Sequence, residues 1–405
     1  MLTRLLLLLG LLSLRLAGGG VPALGADVAA LPLHVEGASI KDAAGKTVLL
    51  RGINHAGFVD VPDGGWDAPG KPLFSGMGHW EPAVVKQTLD DYRKLGFNVV
   101  RLHTIVDWWK TNPQTYHDPW RSVQYPEPYR QMMKDTIQWA GERGLYVIFD
   151  FFAMKNVNGK QSGQESLPWP PYNRYPEVVA SQAEFIDLWQ SVARELGRYP
   201  NVLFELYNEP HGDAKAEAEW FDFCRQALPA LRQYTTNLVI VQWDYMCWVN
   251  LDYPPPQSGA STLAWVERHP LPQANLLYGT HLYRNSGGGG PGTVHRSNPR
   301  LVNLWEPDEI RRGLELAQLP RVVHELKRPL LVTEIGAFMK AQGEDREHEL
   351  LWFKHTLAIL NSWNIGYVDW AWRSDEHLDH GALHQGSPNA AGRIFLEAIK
   401  HSPDR

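Results

Sequence analysis

Asn201–Gly212 reads NVLFELYNEPHG. Val202, Leu203, Phe204 and Leu206 form an apolar run suited to a buried strand, with Glu205 set inside it. Asn208-Glu209-Pro210 ends the run, because proline lacks a backbone donor and biases the residue before it away from helix. Glu209 is therefore expected at the carboxyl end of a strand, where the chain changes direction. A carboxyl beside an amide is a poor packing choice there and a good catalytic one. The competing reading is that Asn208 and Glu209 only cap the next helix, whose body begins near Asp213.

A second stretch, Arg328–Phe338 (RPLLVTEIGAF), repeats the pattern. Pro329 opens a strand, Leu330 to Val332 fill it, and Glu334 ends it before Gly336. The two glutamates are 334 − 209 = 125 residues apart, enough for about three βα units of a (β/α)8 barrel. They would then leave strands across one barrel mouth and face each other, and two facing carboxyls are what glycoside hydrolysis needs. LYNEP on one strand and VTEIG three units later resemble glycoside hydrolase family 5. The resemblance implies an acid/base on the fourth strand and a nucleophile on the seventh.

The rest of the chain can be ordered around these two strands. Leu33–Leu49 reads as two short strands around a glycine-containing turn, a small hairpin closing the barrel bottom. Barrel strands are expected at Leu50–Asn54, Asn98–His103, Tyr146–Phe152, Asn201–Asn208, Asn237–Gln242, Leu276–Tyr283, Leu330–Glu334 and Gly366–Trp370. Helical spacing separates them, including one helix over Glu306–Leu326. Strands alternating with helices imply a parallel sheet, and eight such units imply a single (β/α)8 TIM barrel. Long segments follow strands, among them Pro62–Gly78, the aromatic-rich Trp108–Pro128, Ala153–Tyr175 and Arg284–Pro299. That places the working face at the strands' carboxyl ends.

Composition agrees with a single large folded domain. The 405 residues are 44% hydrophobic and 21% charged, so a sizeable core is possible. The net charge of −6 comes without a basic block, which argues against nucleic acid as a partner. Seventeen Trp and fifteen Tyr are an excess. Trp66, Trp80, Trp108, Trp109, Trp120, Trp169 and Trp243 fall in loop-like stretches, and each is either a packing residue or a platform for a sugar face. Met1–Gly25 has the form of a secretory signal, with Arg4 before the apolar Leu5–Leu14 and small residues ending at Gly25. Arg15 makes the apolar run too short for a membrane span. Residues 26–405 would then form the catalytic domain, secreted or periplasmic, without stable membrane association, and a monomer. Cys224 and Cys247 could pair in an exported protein or remain two buried thiols. Two cysteines cannot make a structural thiolate zinc site. The acidic and imidazole groups of Asp375–His384 match no defensible metal motif, and no metal or cofactor is expected.

Seven residues at expected strand ends converge on one rim: Arg101, Asn208, Glu209, His281, Tyr283, Glu334 and Trp370. Taken singly, a buried arginine is an ion-pair partner, a histidine a satisfied core group and a tryptophan packing. Taken together they suit a glycosidase site. Glu334 would be an ionised nucleophile held by Arg101 and Tyr283. Glu209 would be the acid/base, its acidity weakened by partial burial and by the charge on Glu334. The resemblance further implies that Asn208 contacts the sugar 2-hydroxyl, His281 lines the site and Trp370 lies beneath the sugar. It also exposes a departure: the family commonly has a histidine two residues beyond an aspartate on strand 3, where this chain has Phe152. His103 or His55 could fill that gap. The expected activity is retaining endo-cleavage of β-1,4-glucan, a polysaccharide or oligosaccharide substrate. A β-mannanase, an exo-acting β-glucosidase-like enzyme and a non-catalytic carbohydrate-binding barrel are the alternatives.

Overall fold

The computed structural model describes residues 32–55, 82–117, 122–124, 127–157, 160–161, 165–243, 263–272, 274–284, 305–337, 339, 342–371 and 388–400. Met1–Gly25, Trp66, Trp80, Trp120, Cys247 and Asp375–His384 lie outside these residues. Two short strands, β1 (His34–Glu36) and β2 (Ser39–Lys41), form an antiparallel hairpin. Then come β3 (Arg51–His55), β4 (Val99–Ile105), β5 (Thr115–His117), β6 (Ser122–Gln124) and β7 (Tyr146–Ala153). They are followed by β8 (Asn156–Val157), β9 (Lys160–Gln161), β10 (Val202–Glu205) and β11 (Val239–Val241). The last are β12 (Leu276–Tyr283), β13 (Leu330–Gly336) and β14 (Gly366–Asp369).

Eight of these close into one barrel in the order β10-β11-β12-β13-β14-β3-β4-β7, with every pair parallel. The chain is thus a (β/α)8 TIM barrel with a small N-terminal hairpin. The strands are buried on both faces, which explains their near-continuous apolar runs. One apolar cluster joins Leu33, Ile40 and Val48 to Leu50, Val99, Ile148, Leu203, Ile240, Leu277, Leu331 and Val368. The hairpin therefore seals the amino-terminal end of the barrel, and Val35 N–H donates to Asn275 Oδ1 at 3.0 Å to hold it there.

Three expectations need correction. The helix expected over Glu306–Leu326 is two pieces, an α-helix at Pro307–Leu316 and a π-helical turn at Arg321–Glu325. Ala317 and Gln318 form a turn, with Gln318 at φ +69°, so the first helix ends at Leu316. Helical structure resumes at Leu319, where Pro320 sits in a first turn that needs no donor. The stretch read as a loop from Trp108 begins inside a helix, Val106–Thr111, and continues into the β5–β6 pair. Trp108 and Trp109 are buried in that helix, where Trp109 meets Phe149 edge-on at 5.1 Å and Trp108 meets Tyr129 at 5.6 Å. Trp169 and Trp243 are likewise buried, so these four aromatic side chains are core, not sugar platforms. Cys224 is a buried free thiol. Among the described residues, no helix is long and apolar enough to cross a membrane.

Candidate active site

The segment after β10 has its own supports. Leu206 N–H donates to Ile240 O, Trp189 Nε1 to Leu206 O, Gln242 Nε2 to Tyr207 O and Asn208 N–H to Phe151 O. Glu209 then takes φ +49°, a left-handed conformation that is uncommon outside glycine and is further disfavoured before proline. Such strain persists only where the surroundings impose it. Helix capping does not involve this pair: Asp213 Oδ1 accepts from Lys215 N and Ala216 N and caps the helix Ala214–Leu231. Asn208 and Glu209 instead turn inward, Asn208 to Arg101 and Glu209 to His281.

At β13 the strand is irregular on both sides. Its pairing shifts register between Thr280 and His281 on one neighbour and between Val332 and Ile335 against the other. In a regular strand Thr333 and Glu334 would point to opposite faces. Here both reach the interior network, Thr333 toward Glu205 and Glu334 toward Arg101, since a bulge re-aims side chains locally.

Arg101 organises that network from within β4 rather than from its end. The strand runs on to Ile105, so the guanidinium lies beneath the rim. Nε donates to Glu205 Oε2 at 2.5 Å, Nη1 to Glu334 Oε1 at 2.7 Å and to Asn54 Oδ1 at 3.0 Å, and Nη2 to Asn208 Oδ1 at 2.7 Å. Nη2 also lies 2.9 Å from Asp150 Oδ2, although neither Asp150 oxygen is aligned for a hydrogen bond. Burial disfavours the guanidinium charge, but Asp150, Glu205 and Glu334 outweigh it and push its pKa above the ordinary arginine value. For Asp150 the balance runs the other way. Burial, reinforced by the neighbouring carboxylates, pushes it well above the usual carboxyl range against the pull of Arg101.

Glu334 is nearly enclosed, with Arg101 on one oxygen and the Tyr283 hydroxyl donating to the other at 2.7 Å. Burial raises its pKa, and Glu209 adds to the rise. His281, Arg101 and the Tyr283 hydrogen bond pull it down without cancelling the effect. Glu209 Oε1 lies 2.7 Å from His281 Nδ1, and His281 Nε2 lies 3.1 Å from Thr333 Oγ1. Burial lowers the His281 pKa to about 4, so the ring is neutral near pH 7.

The structure thus brings six of the seven expected residues into one hydrogen-bonded group. Trp370 stands one step away. It is partly exposed, stacked on Phe152 at 5.8 Å and 14°, with the His103 ring edge-on to both. His103 is wholly buried behind Phe152, its Nε2 2.9 Å from Asn54 Oδ1. It does not restore an exposed imidazole at the Phe152 position. His55 is buried against Tyr92, 2.6 Å from its hydroxyl, on the barrel's helix side. Glu205, Thr333 and Asn54 belong to the group, with Asp150 joined to it by its ion pair to Arg101, and none of the four was assigned from sequence. The available signal was a charge inside each of two apolar strands, Glu205 in VLFE and Asp150 in YVIFDFFA.

Among the described residues, Glu209, His281 and Glu334 are the group whose ligand atoms come close enough to hold a metal ion, all within 4.8 Å of one another. A cation there would occupy both carboxyls. Without one, the arrangement is a pair of buried carboxyls in different surroundings, one clamped by a cation and a phenol, the other against a neutral imidazole. Environments that separate two carboxyls in this way support paired nucleophile and acid chemistry.

The profile of the cellulase family, glycosyl hydrolase family 5, matches residues 66–376. An endoglucanase of Clostridium saccharobutylicum is 22% identical over 259 residues, which cover 62% of this chain and 43% of that protein. A probable glucan endo-1,6-beta-glucosidase B of Neosartorya fischeri is 20% identical over 327 residues, 78% of this chain and 76% of its own. The chain thus spans less than half of the first relative and about three quarters of the second. Among solved structures, an endocellulase from Pyrococcus horikoshii in complex with cellotetraose superposes with a TM-score of 0.65 at 19% identity, covering 91% of this chain and 99% of that one.

Proposed function

The chain belongs to glycosyl hydrolase family 5, and from that membership we propose that it is a retaining endo-β-glycosidase acting on β-1,4-glucan. The observation that supports a retaining mechanism is that one carboxyl oxygen of Glu209 lies within 4.8 Å of one of Glu334. Retaining glycosidases keep their carboxyls about 5–5.5 Å apart, whereas inverting enzymes leave about 6.5–9.5 Å for a water.

Glu334 attacks the anomeric carbon as Glu209 protonates the departing glycosidic oxygen. The products of this step are a glycosyl ester on Glu334 and a shortened chain. Water then attacks the same carbon, its proton passes to Glu209, and the ester bond breaks to release Glu334. Loss of the Glu334 charge in the intermediate makes Glu209 more acidic, which suits the change from acid to base. Arg101 and Tyr283 orient Glu334 and receive its charge again when the ester breaks. Asn208 has its carbonyl oxygen taken by Arg101, while its Nδ2 is buried and makes no hydrogen bond among the described residues. A buried donor without a partner is costly, and a sugar 2-hydroxyl would satisfy it. Trp370 offers the ring face beneath that sugar.

Glucose and mannose differ at the 2-hydroxyl, so a β-mannan is the second substrate of interest. A β-1,6-glucan is the third, because a relative of matching length carries that activity in its name. Release of reducing sugar from a panel of glucans, mannans and xylans by the parent chain and Glu334→Gln tests the reading. Activity on β-1,4-glucan that disappears in the variant is expected. Equal activity in the two would remove the assignment. Residues 1–25 are read as a cleaved export signal and 26–405 as one monomeric catalytic domain. N-terminal sequencing of protein recovered outside the cell, with its mass in solution, tests both statements.

A further inference from the structure

A line of hydrogen bonds runs beneath Glu209: Glu205 Oε1 to Thr333 Oγ1 at 3.1 Å, Thr333 Oγ1 to His281 Nε2 at 3.1 Å, and His281 Nδ1 to Glu209 Oε1 at 2.7 Å. Glu205, Thr333 and His281 are fully enclosed and Glu209 nearly so. The direction of each proton can be followed. Glu205 is held as a carboxylate by Arg101 Nε at 2.5 Å, and a carboxylate only accepts. The single Thr333 hydroxyl proton therefore goes to Glu205. The Thr333 oxygen then meets His281 Nε2 as an acceptor, so Nε2 carries a hydrogen. A neutral imidazole has one N–H, which leaves Nδ1 bare. A bare nitrogen 2.7 Å from a carboxyl oxygen needs a proton between them, and Glu209 is its source.

We propose that Glu205 and Thr333 are positioning residues that lock His281 in its Nε2–H form and thereby hold Glu209 protonated, ready to act as an acid. The proposal rests on the reading of Glu209 as the acid/base. Burial supports it by keeping His281 neutral near pH 7. The titratable groups facing His281 are Glu209 and Glu205 from β10 and its extension, Glu334 from β13 at 3.5 Å and Arg101 from β4. Once Glu209 has given its proton to the leaving oxygen, its carboxylate faces a bare lone pair. That repulsion favours recovery of a proton from the attacking water, whose oxygen bonds to the anomeric carbon as the ester to Glu334 breaks.

Thr333→Val keeps the shape and removes the hydroxyl. Nε2–H then loses its acceptor, and the ring prefers Nδ1–H, which donates to an ionised Glu209. The alkaline limb of kcat/KM should move to lower pH by about one unit, while Thr333→Ser leaves it in place. Nitrogen NMR of histidine-labelled protein at pH 7, with the His281 signal identified by its loss in His281→Asn, should show Nε2 protonated in the parent and Nδ1 protonated in Thr333→Val. A parent ring protonated at Nδ1, or at both nitrogens, overturns the proposal. So does a tautomer that switches while the alkaline limb stays fixed. The NMR measurement needs no turnover, so a chain that hydrolyses no glycan would defeat the hydrolase reading without deciding the proton relay.

Discussion

Arg101 Nε and Glu205 Oε2 meet at 2.5 Å in a part of the barrel that solvent does not reach. The same guanidinium contacts Glu334 and Asp150, so one cation holds three carboxyls together. Buried charges are expensive to bring out of water, and removing one partner leaves the others uncompensated. Arg101→Met should therefore lower unfolding stability by about 3–5 kcal/mol and abolish activity. Arg101→Lys should fare little better, because a point charge cannot reproduce the fork that reaches Glu205, Glu334 and Asn208. Urea unfolding beside activity measurements checks this. An Arg101→Met protein as stable as the parent would show that the carboxyls do not depend on the ion pairs.

The close Glu209–Glu334 pair leads to a stereochemical expectation. NMR of the first product should show retained anomeric configuration. With a substrate carrying a good leaving group, Glu209→Ala should still form the glycosyl intermediate, and azide should restore turnover with a glycosyl azide of retained configuration. With Glu334→Ala, azide can enter only from the vacated face and should give the opposite anomer. The same azide product from both variants would mean that the two roles are misassigned.

Burial holds the Glu334 pKa above the ordinary carboxyl value of 4.5. A nucleophile must be ionised, so activity should rise with pH through a limb lying above that value. Tyr283 donates a hydrogen bond that favours the ionised form. Tyr283→Phe should move this acid limb to higher pH, with kcat/KM on the acid side falling about tenfold. A pH profile of the two proteins checks the sign, and a limb displaced toward lower pH would contradict it.

The tryptophans should divide by position. Trp370 is partly exposed at the mouth, stacked on Phe152. Trp370→Ala should lower kcat about tenfold with a modest change in Tm, because stacking matters most as the ring distorts toward the transition state. Trp109 is enclosed against Phe149 and under the Arg130 guanidinium. Trp109→Ala should cost about 3–5 kcal/mol of stability without changing how KM depends on chain length. Kinetics and melting curves on both variants decide the division. A stable Trp370→Ala protein with unchanged kcat would remove the platform role.

Sequence by itself determined the alternation of eight strands with helices, the sealing hairpin, and the assignment of Glu209 and Glu334 to the fourth and seventh barrel units, although Glu334 lies within β13 and Glu209 four residues beyond β10. Those features are local: an apolar run stopped by Pro210 or Gly336 is written within about ten neighbouring residues, and a resemblance in two short motifs could be read there too. Tertiary structure alone decided that Arg101 also holds Glu205, 104 residues away, because the two meet only when the barrel closes; its contact with Glu334, 233 residues away, is the one expected from sequence. It decided that Thr333 and Glu334, adjacent in a strand, both serve the interior, because register shifts at β13 override the twofold alternation. It also decided that Trp108 and Trp109 are core. A short helix buries them, and composition cannot distinguish a buried indole from one waiting for a sugar.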